Sequence, residues 1–339
     1  MKAFSPEFGA DAETAEQDYV RALHLAQSAT YPSNATSKLR HAELFRRTGN
    51  STSAGELLRE AMTEASSFLD VGWLCWSKGN LGRQTGNLSG AIVDYRAATR
   101  FAKLSGDRVL HFYARAGEAE TYRVLGAFEF ARVYHARLLS EAQSMRDVRA
   151  VVWAMQGLAQ IARNCGDIRL ARRLFAHSAR LASDASDIRG LGYALRGLGD
   201  TSSLLGFHNA GLTRIREAKV IFSQCGAKQS LAYAVKAESD VYLRMGRLDS
   251  AEEAIAVGQS LFLETGDTRG KSFLDLNLAR AYIARTEWSG AEQSLQFCRA
   301  SLRSTNVSHG LARLRHVTAS FLHARPKLVI SSGGLIASR

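Results

Sequence analysis

The sequence predicts an all-α protein, one elongated solenoid of stacked helix-turn-helix units, and three observations carry that prediction. Turn glycines recur at Gly49, Gly86, Gly126, Gly166, Gly206 and Gly246, with Thr286 in the next register, so every spacing after the first is 40 residues. Small residues fill two columns around each turn: Ala54, Ala91, Ala131, Ala171, Gly211, Ala251 and Ala291 five residues after it, and Ala42, Gly79, Ala119, Ala159, Gly199, Ser239 and Ala279 seven residues before it. The 339 residues include only three prolines and no low-complexity stretch, so the helical pattern runs without a linker. A fixed period of this kind marks units that cannot bury their apolar faces alone and must stack.

The unit from Asp147 to Ser186 shows why each half is a helix. Asp147 stands where a side-chain oxygen caps a first turn, and Val152, Met155, Ala159 and Ala162 follow at helical spacing. Gly166 accepts the left-handed conformation that ends a helix, and Asp167 caps the next one, which presents Ala171, Phe175 and Ser178 on one face.

In chain order, residues 11–28 read as a lone second helix through Ala15, Tyr19 and Ala22, and Tyr31 to Asn34 turn into the first complete unit. Junctions between units carry Asp107, Asp147, Asp187 and Asp267, a pattern that Ala227 breaks. Residues 308–325 resemble a first helix, but Pro326 falls in the turn register and no second helix follows. The expected organisation is therefore a capping half-repeat and turn over 1–38, a repeat array over 39–306, and a capping helix with a basic, mobile tail over 307–339.

A further column reads Leu58, Tyr95, His135, Phe175, Ile215, Ile255 and Leu295, followed three residues later by Ala61, Ala98, Leu138, Ser178, Ala218, Gly258 and Cys298. Small residue, turn glycine, then alanine and a large residue four positions on resembles the tetratricopeptide (TPR) repeat. The forty-residue length is similar to the long-helix subclass in bacterial regulators of the maltose-activator type. The resemblance spans roughly residues 10–300 and implies about seven repeats in a right-handed superhelix, whose first helices line a concave surface where ligands lie.

Charge and composition bound the function. Net charge is +12, and after Glu292 no acidic residue occurs while Arg299, Arg303, Arg313, Arg315, Arg325, Lys327 and Arg339 do. That basic end suits an acidic partner or nucleic acid, or is a solvated cap. Cys75, Cys165, Cys225 and Cys298 are isolated, as reduced cytoplasmic thiols are, and lack the close pairs of a zinc site. No run approaches the ~20 apolar residues of a membrane span. No nucleotide-binding, metalloprotease or serine-nucleophile motif is present, which argues against an enzyme and implies no cofactor. The incomplete last unit leaves an apolar helix face that a second copy would cover.

Candidate binding residues follow from the first-helix columns. Trp73, Tyr113, Trp153, Tyr193, Tyr233 and Phe273 stand thirteen residues before their turns. A mostly small residue follows each four positions on, from Ser77 through Gly117, Gly157, Gly197 and Ala237 to Asn277. Asn80, Glu120, Gln160, Asp200, Asp240 and Arg280 stand seven positions on. Turn-spaced triplets share a helix face, so stacking makes an aromatic, a small and a polar stripe. One reading is a groove whose aromatic floor and polar anchors take a peptide segment, a partner protein or a small ligand, with Arg83, Arg123 and Arg163 adding anion contacts. The other is inter-repeat core, because periodic apolar columns are packing first. Trp76, which no other unit repeats, favours a site, while Arg196 with Asp200 and Lys236 with Asp240 also read as simple i, i+4 pairs. The leading expectation is a non-catalytic adaptor, with a ligand- or peptide-sensing regulator acting through a separate effector, or a nucleic-acid binder, as alternatives.

Overall fold

The computed structural model describes residues 35–304, 308–324, 328–331 and 334–337. The expected half-repeat over 11–28 and its following turn lie outside the described residues. First helices are α1 (Ala35–Thr48), α3 (Phe68–Thr85), α5 (Arg108–Leu125), α7 (Val148–Asn164), α9 (Ile188–Leu204), α11 (Lys228–Arg244), α13 (Thr268–Ala284) and α15 (Ser308–Ala324). Second helices alternate with them: α2 (Ser51–Glu64), α4 (Leu88–Ser105), α6 (Phe128–Ser144), α8 (Ile168–Asp184), α10 (His208–Gln224), α12 (Leu248–Glu264) and α14 (Trp288–Ser304). The tail holds two strands. Two short apolar runs pair as an antiparallel hairpin, β1 (Leu328–Ser331) with β2 (Gly334–Ala337), in a register that sets Val329 opposite Ile336.

The turns form as their residues dictate. Helix α7 ends at Cys165, Gly166 follows at φ 91°, and the Gly166 and Asp167 N–H groups donate back to the Arg163 and Ala162 carbonyls. At the junctions, the Asp147 carboxylate accepts from the Ala150 N–H at 3.0 Å, and Asp107, Asp187 and Asp267 do the same for their own helices. Ala227 makes no such bond. Five junctions also have a left-handed residue just before the cap, at Gly106, Arg146, Ser186, Gly226 and Gly266, a second 40-residue series beside the turn glycines.

Stacking explains the small columns. The alanines five residues after each turn are fully buried where the two helices of a unit cross. The small stripe of the first helices, expected on a groove, is instead a row of sockets. A Cβ on Gly117 would lie 2.2 Å from the Tyr95 ring, one on Gly157 2.1 Å from the His135 ring, and one on Gly197 2.3 Å from the Phe175 ring. Each large second-helix residue therefore fills a hole in the next unit, and burying such a side chain is worth about 1.5–3 kcal/mol. His135 occupies this column with both ring nitrogens buried and without a hydrogen-bond partner, stacked on Trp153 at 5.1 Å. Burial pulls its pKa down from 6.5 to about 4, against the weaker opposing influence of Glu120.

The superhelix also closes on itself. Gln84 in α3 donates to the carbonyl of Thr265, after α12, at 3.2 Å, and a Cβ on Gly49 would stand 2.3 Å from the Glu264 carbonyl oxygen. One apolar cluster joins Leu88 and Val124 of the early units to Leu314, Val317 and Phe321 of α15. After one superhelical turn, the last described helix thus packs against the second and third units.

Candidate functional site

The polar stripe of the first helices pairs in successive clusters along the inner wall. Arg163 of α7 pairs with Asp200 of α9, and Arg244 of α11 reaches the other Asp200 oxygen at 3.2 Å. Asp240 of α11 meets Lys236 at 2.5 Å, Arg280 of α13 at 3.1 Å and Arg313 of α15 at 3.6 Å. In the early units Glu120 accepts from Arg123 at 2.5 Å, and Asn80 accepts from the Tyr95 hydroxyl at 2.8 Å. Arg83 donates to that hydroxyl at 3.4 Å. The walls feel one another across the axis, since Arg83 interacts electrostatically with Tyr193 and with Arg269.

Cations dominate this enclosed wall, and the carboxylates register it. Burial alone would raise Glu120 and Asp240, yet Arg123 brings the Glu120 pKa down to about 2, and Lys236, Arg313, Arg244 and Arg280 hold Asp240 far below the carboxylate range. Lys236 moves the other way, to about 8, because burial outweighs the Asp240 charge beside it.

The aromatic column divides along the chain. Trp73 and Trp76 are 9% and 6% exposed and pack edge to face at 5.4 Å, with Trp76 also against Tyr113 at 6.5 Å. Trp76, read from the sequence as groove-facing, is core of the early units. Further on, Tyr193 packs on Phe222 and Tyr233 on Phe262. Their hydroxyls are engaged, Tyr193 with the Ser230 hydroxyl at 2.6 Å and Tyr233 donating to Asp267 at 2.9 Å. Cations cover the inner faces of these rings: Arg196 lies 5.6 Å from Tyr193 and 5.7 Å from Tyr233, while Lys236 and Arg313 lie over Phe273 at 5.8 and 5.6 Å.

The expected Arg196–Asp200 pair is absent, because Asp200 is taken by arginines of the units on either side. Lys236–Asp240 does form. On the first helices of the middle units the Trp153 indole N–H, the Gln160 amide and the Arg196 guanidinium have no hydrogen-bond partner among the described residues, and the buried Asn164 amide nitrogen has none either. Trp153 and Gln160 are on α7, and Arg196 is on the next first helix, α9. Gln160 lies one turn before Arg163 on α7 and Arg196 one turn before Asp200 on α9, and the Arg163–Asp200 pair links the two helices. The Trp153, Gln160 and Arg196 side chains are partly exposed.

Sequence reading missed Arg244, Arg269 and the inward role of Arg313. Arg269 had a signal in the recurring Asp-x-Arg at the junctions, and the structure uses it to donate to the Tyr233 hydroxyl at 2.9 Å. In the sequence Arg313 shows only as part of the basic C-terminal run.

No family model and no curated relative matches the chain. Solved structures do. The Rap conjugation gene regulator of the plasmid pLS20, in complex with the Phr* peptide, superposes with a TM-score of 0.64 at 11% identity, over 94% of this chain and 82% of that one. NprR, in complex with its cognate peptide NprX, superposes at 0.63 with 15% identity, over 86% of each chain. A signal-transduction ATPase with a tetratricopeptide repeat sensor from Pyrococcus horikoshii gives 0.51 at 16% identity, over 93% of this chain and 50% of that one. At these identities the likeness is one of fold, and that fold is an α-solenoid of stacked TPR-like repeats.

Proposed function

We propose that the protein is a non-catalytic scaffold that holds a peptide segment in its concave groove. One observation carries the reading: Trp153, Gln160 and Arg196, on two successive first helices, keep donors without a protein partner among the described residues, whereas Asn80, Glu120, Asp200 and Asp240 in the same wall are all paired. An enclosed, partly apolar wall with a few convergent polar groups left open is the usual form of a ligand site. An extended peptide presents backbone carbonyls that such donors satisfy. Trp73 and Trp76 support the wall from behind, and Tyr113, Tyr193 and Tyr233 hold its shape.

On this reading residues 39–306 are the binding array, 307–339 close it through α15, and 1–38 precede it. No helix among the described residues is long and apolar enough to cross a membrane, and a cytoplasmic site of action suits the free thiols. A sensing role is favoured over a passive adaptor by the seam between Gln84 and Thr265, because a ligand in the groove acts on both sides of that contact. The peptide complexes of NprR and of the pLS20 regulator, which share this fold, support the same reading. The effector would then be a separate protein.

The test is a random-peptide phage library panned against the wild type, with enriched clones rescreened on Trp153→Ala and Gln160→Ala variants of unchanged helicity. Enriched clones that lose binding to both variants are expected. No enrichment, or clones that bind the variants equally well, refutes the groove.

A further inference from the structure

We infer that the anchoring group of the groove's ligand is a carboxylate, received by Arg196. The inference rests on the peptide-groove reading and specifies its chemistry. A guanidinium carries five donors in a fixed fork and is satisfied best by a planar two-oxygen anion. Arg196 has no such partner among the described residues: the faces of Tyr193 and Tyr233 flank it and hold its position without accepting its N–H bonds. Held between two rings, the fork loses little further freedom when an anion arrives, so its pairing is preorganised.

The surroundings repel a cation and attract an anion. Asp200, which would otherwise neutralise Arg196 from one turn away, already faces Arg163 and Arg244. Burial pushes the Arg196 pKa down and the charge of Arg163 adds to it, against the opposing influence of Tyr193, Tyr233 and Asp200. The Gln160 amide, on the preceding first helix, offers a donor for a second oxygen or for the carbonyl that follows. A basic side chain meets no carboxylate here that is not already neutralised, because Asp200 and Asp240 are each outnumbered by their own cations.

Fluorescence anisotropy on the full chain decides the matter with three labelled hexapeptides. The first alternates glycine with glutamate and has an amidated C-terminus; the second replaces glutamate by glutamine; the third is the glutamine peptide with a free C-terminal carboxylate. The glutamate peptide or the free-acid peptide is expected to bind at least about tenfold tighter than the uncharged one, and which of them does so identifies a side-chain or a terminal carboxylate as the anchor. Arg196→Gln removes that preference, Arg196→Lys keeps part of it, and Arg214→Gln, on the exposed face of α10, leaves it unchanged. Unaltered thermal unfolding of Arg196→Gln separates lost recognition from lost structure. Equal binding of all three peptides overturns the carboxylate anchor and leaves the peptide groove standing, as does a preference that survives Arg196→Gln. Absence of binding by any of them, at up to about 1 mM, overturns both.

Discussion

Replacing His135 by phenylalanine should stabilise the protein, and the gain should grow as pH falls. His135 stands in a column of buried large residues, 0% exposed, and leaves two ring nitrogens unsatisfied. An unpaired buried polar group costs about 1–3 kcal/mol, and phenylalanine removes it. Space is available, because one unit later Phe175 sits over Gly197 as His135 sits over Gly157. The pH dependence has a definite sign. The folded pKa, about 4, lies below the unfolded value of 6.5, so below 6.5 the unfolded chain binds the proton more readily and stability falls with pH until about 4. Each unit in that window is worth about 1.4 kcal/mol, which amounts to about 2 kcal/mol lost at pH 5 and almost nothing at pH 7.5. Urea unfolding of wild type and His135→Phe at both pH values measures the two terms separately. A stability gap that is the same at both pH values, or a variant weaker than wild type at neutral pH, would refute the reasoning.

Three further substitutions test the repeat logic by thermal or urea unfolding. Ala227→Asp restores the missing junction cap and should add about 1 kcal/mol, the usual worth of an N-cap oxygen; no gain would mean that the Gly226 junction holds a different geometry. Thr286 adopts φ 62° in the register that glycine fills elsewhere, so Thr286→Gly should stabilise by about 1 kcal/mol by relieving left-handed strain in a β-branched residue. Gly197→Ala drives a methyl into the Phe175 ring and should destabilise by about 1–3 kcal/mol, whereas the same change at Gly166, where no atom lies within 4 Å, should cost only its backbone strain. Equal losses at the two glycines would argue against the socket.

The fold was legible because one contact is made again in every unit. A ring that needs a hole in the next helix writes both into the sequence at fixed spacing, as Tyr95 with Gly117 and Phe175 with Gly197 show. The wall was legible only in part. Local spacing paired Arg196 with Asp200, but the partners that win come from other units, 37 and 44 residues away in Arg163 and Arg244. Trp76 looked like a surface residue because it is unrepeated, yet a core also needs unrepeated residues where an array begins. Gln84 and Thr265 are 181 residues apart and belong to no column, so nothing periodic announces them.

That last contact changes the mechanics of the molecule. A linear stack of repeats frays from its ends, and each unit answers only to its neighbours. A stack whose early turns rest on a late one behaves like a split ring: opening the gap relaxes every unit a little, and whatever stiffens one segment of the hoop is felt at the gap. Removing α15 should therefore loosen the second and third units, far away in sequence, before it affects the middle of the array, an ordering that hydrogen exchange can read directly. An occupant that sets the bore of the hoop would set the width of the gap as well.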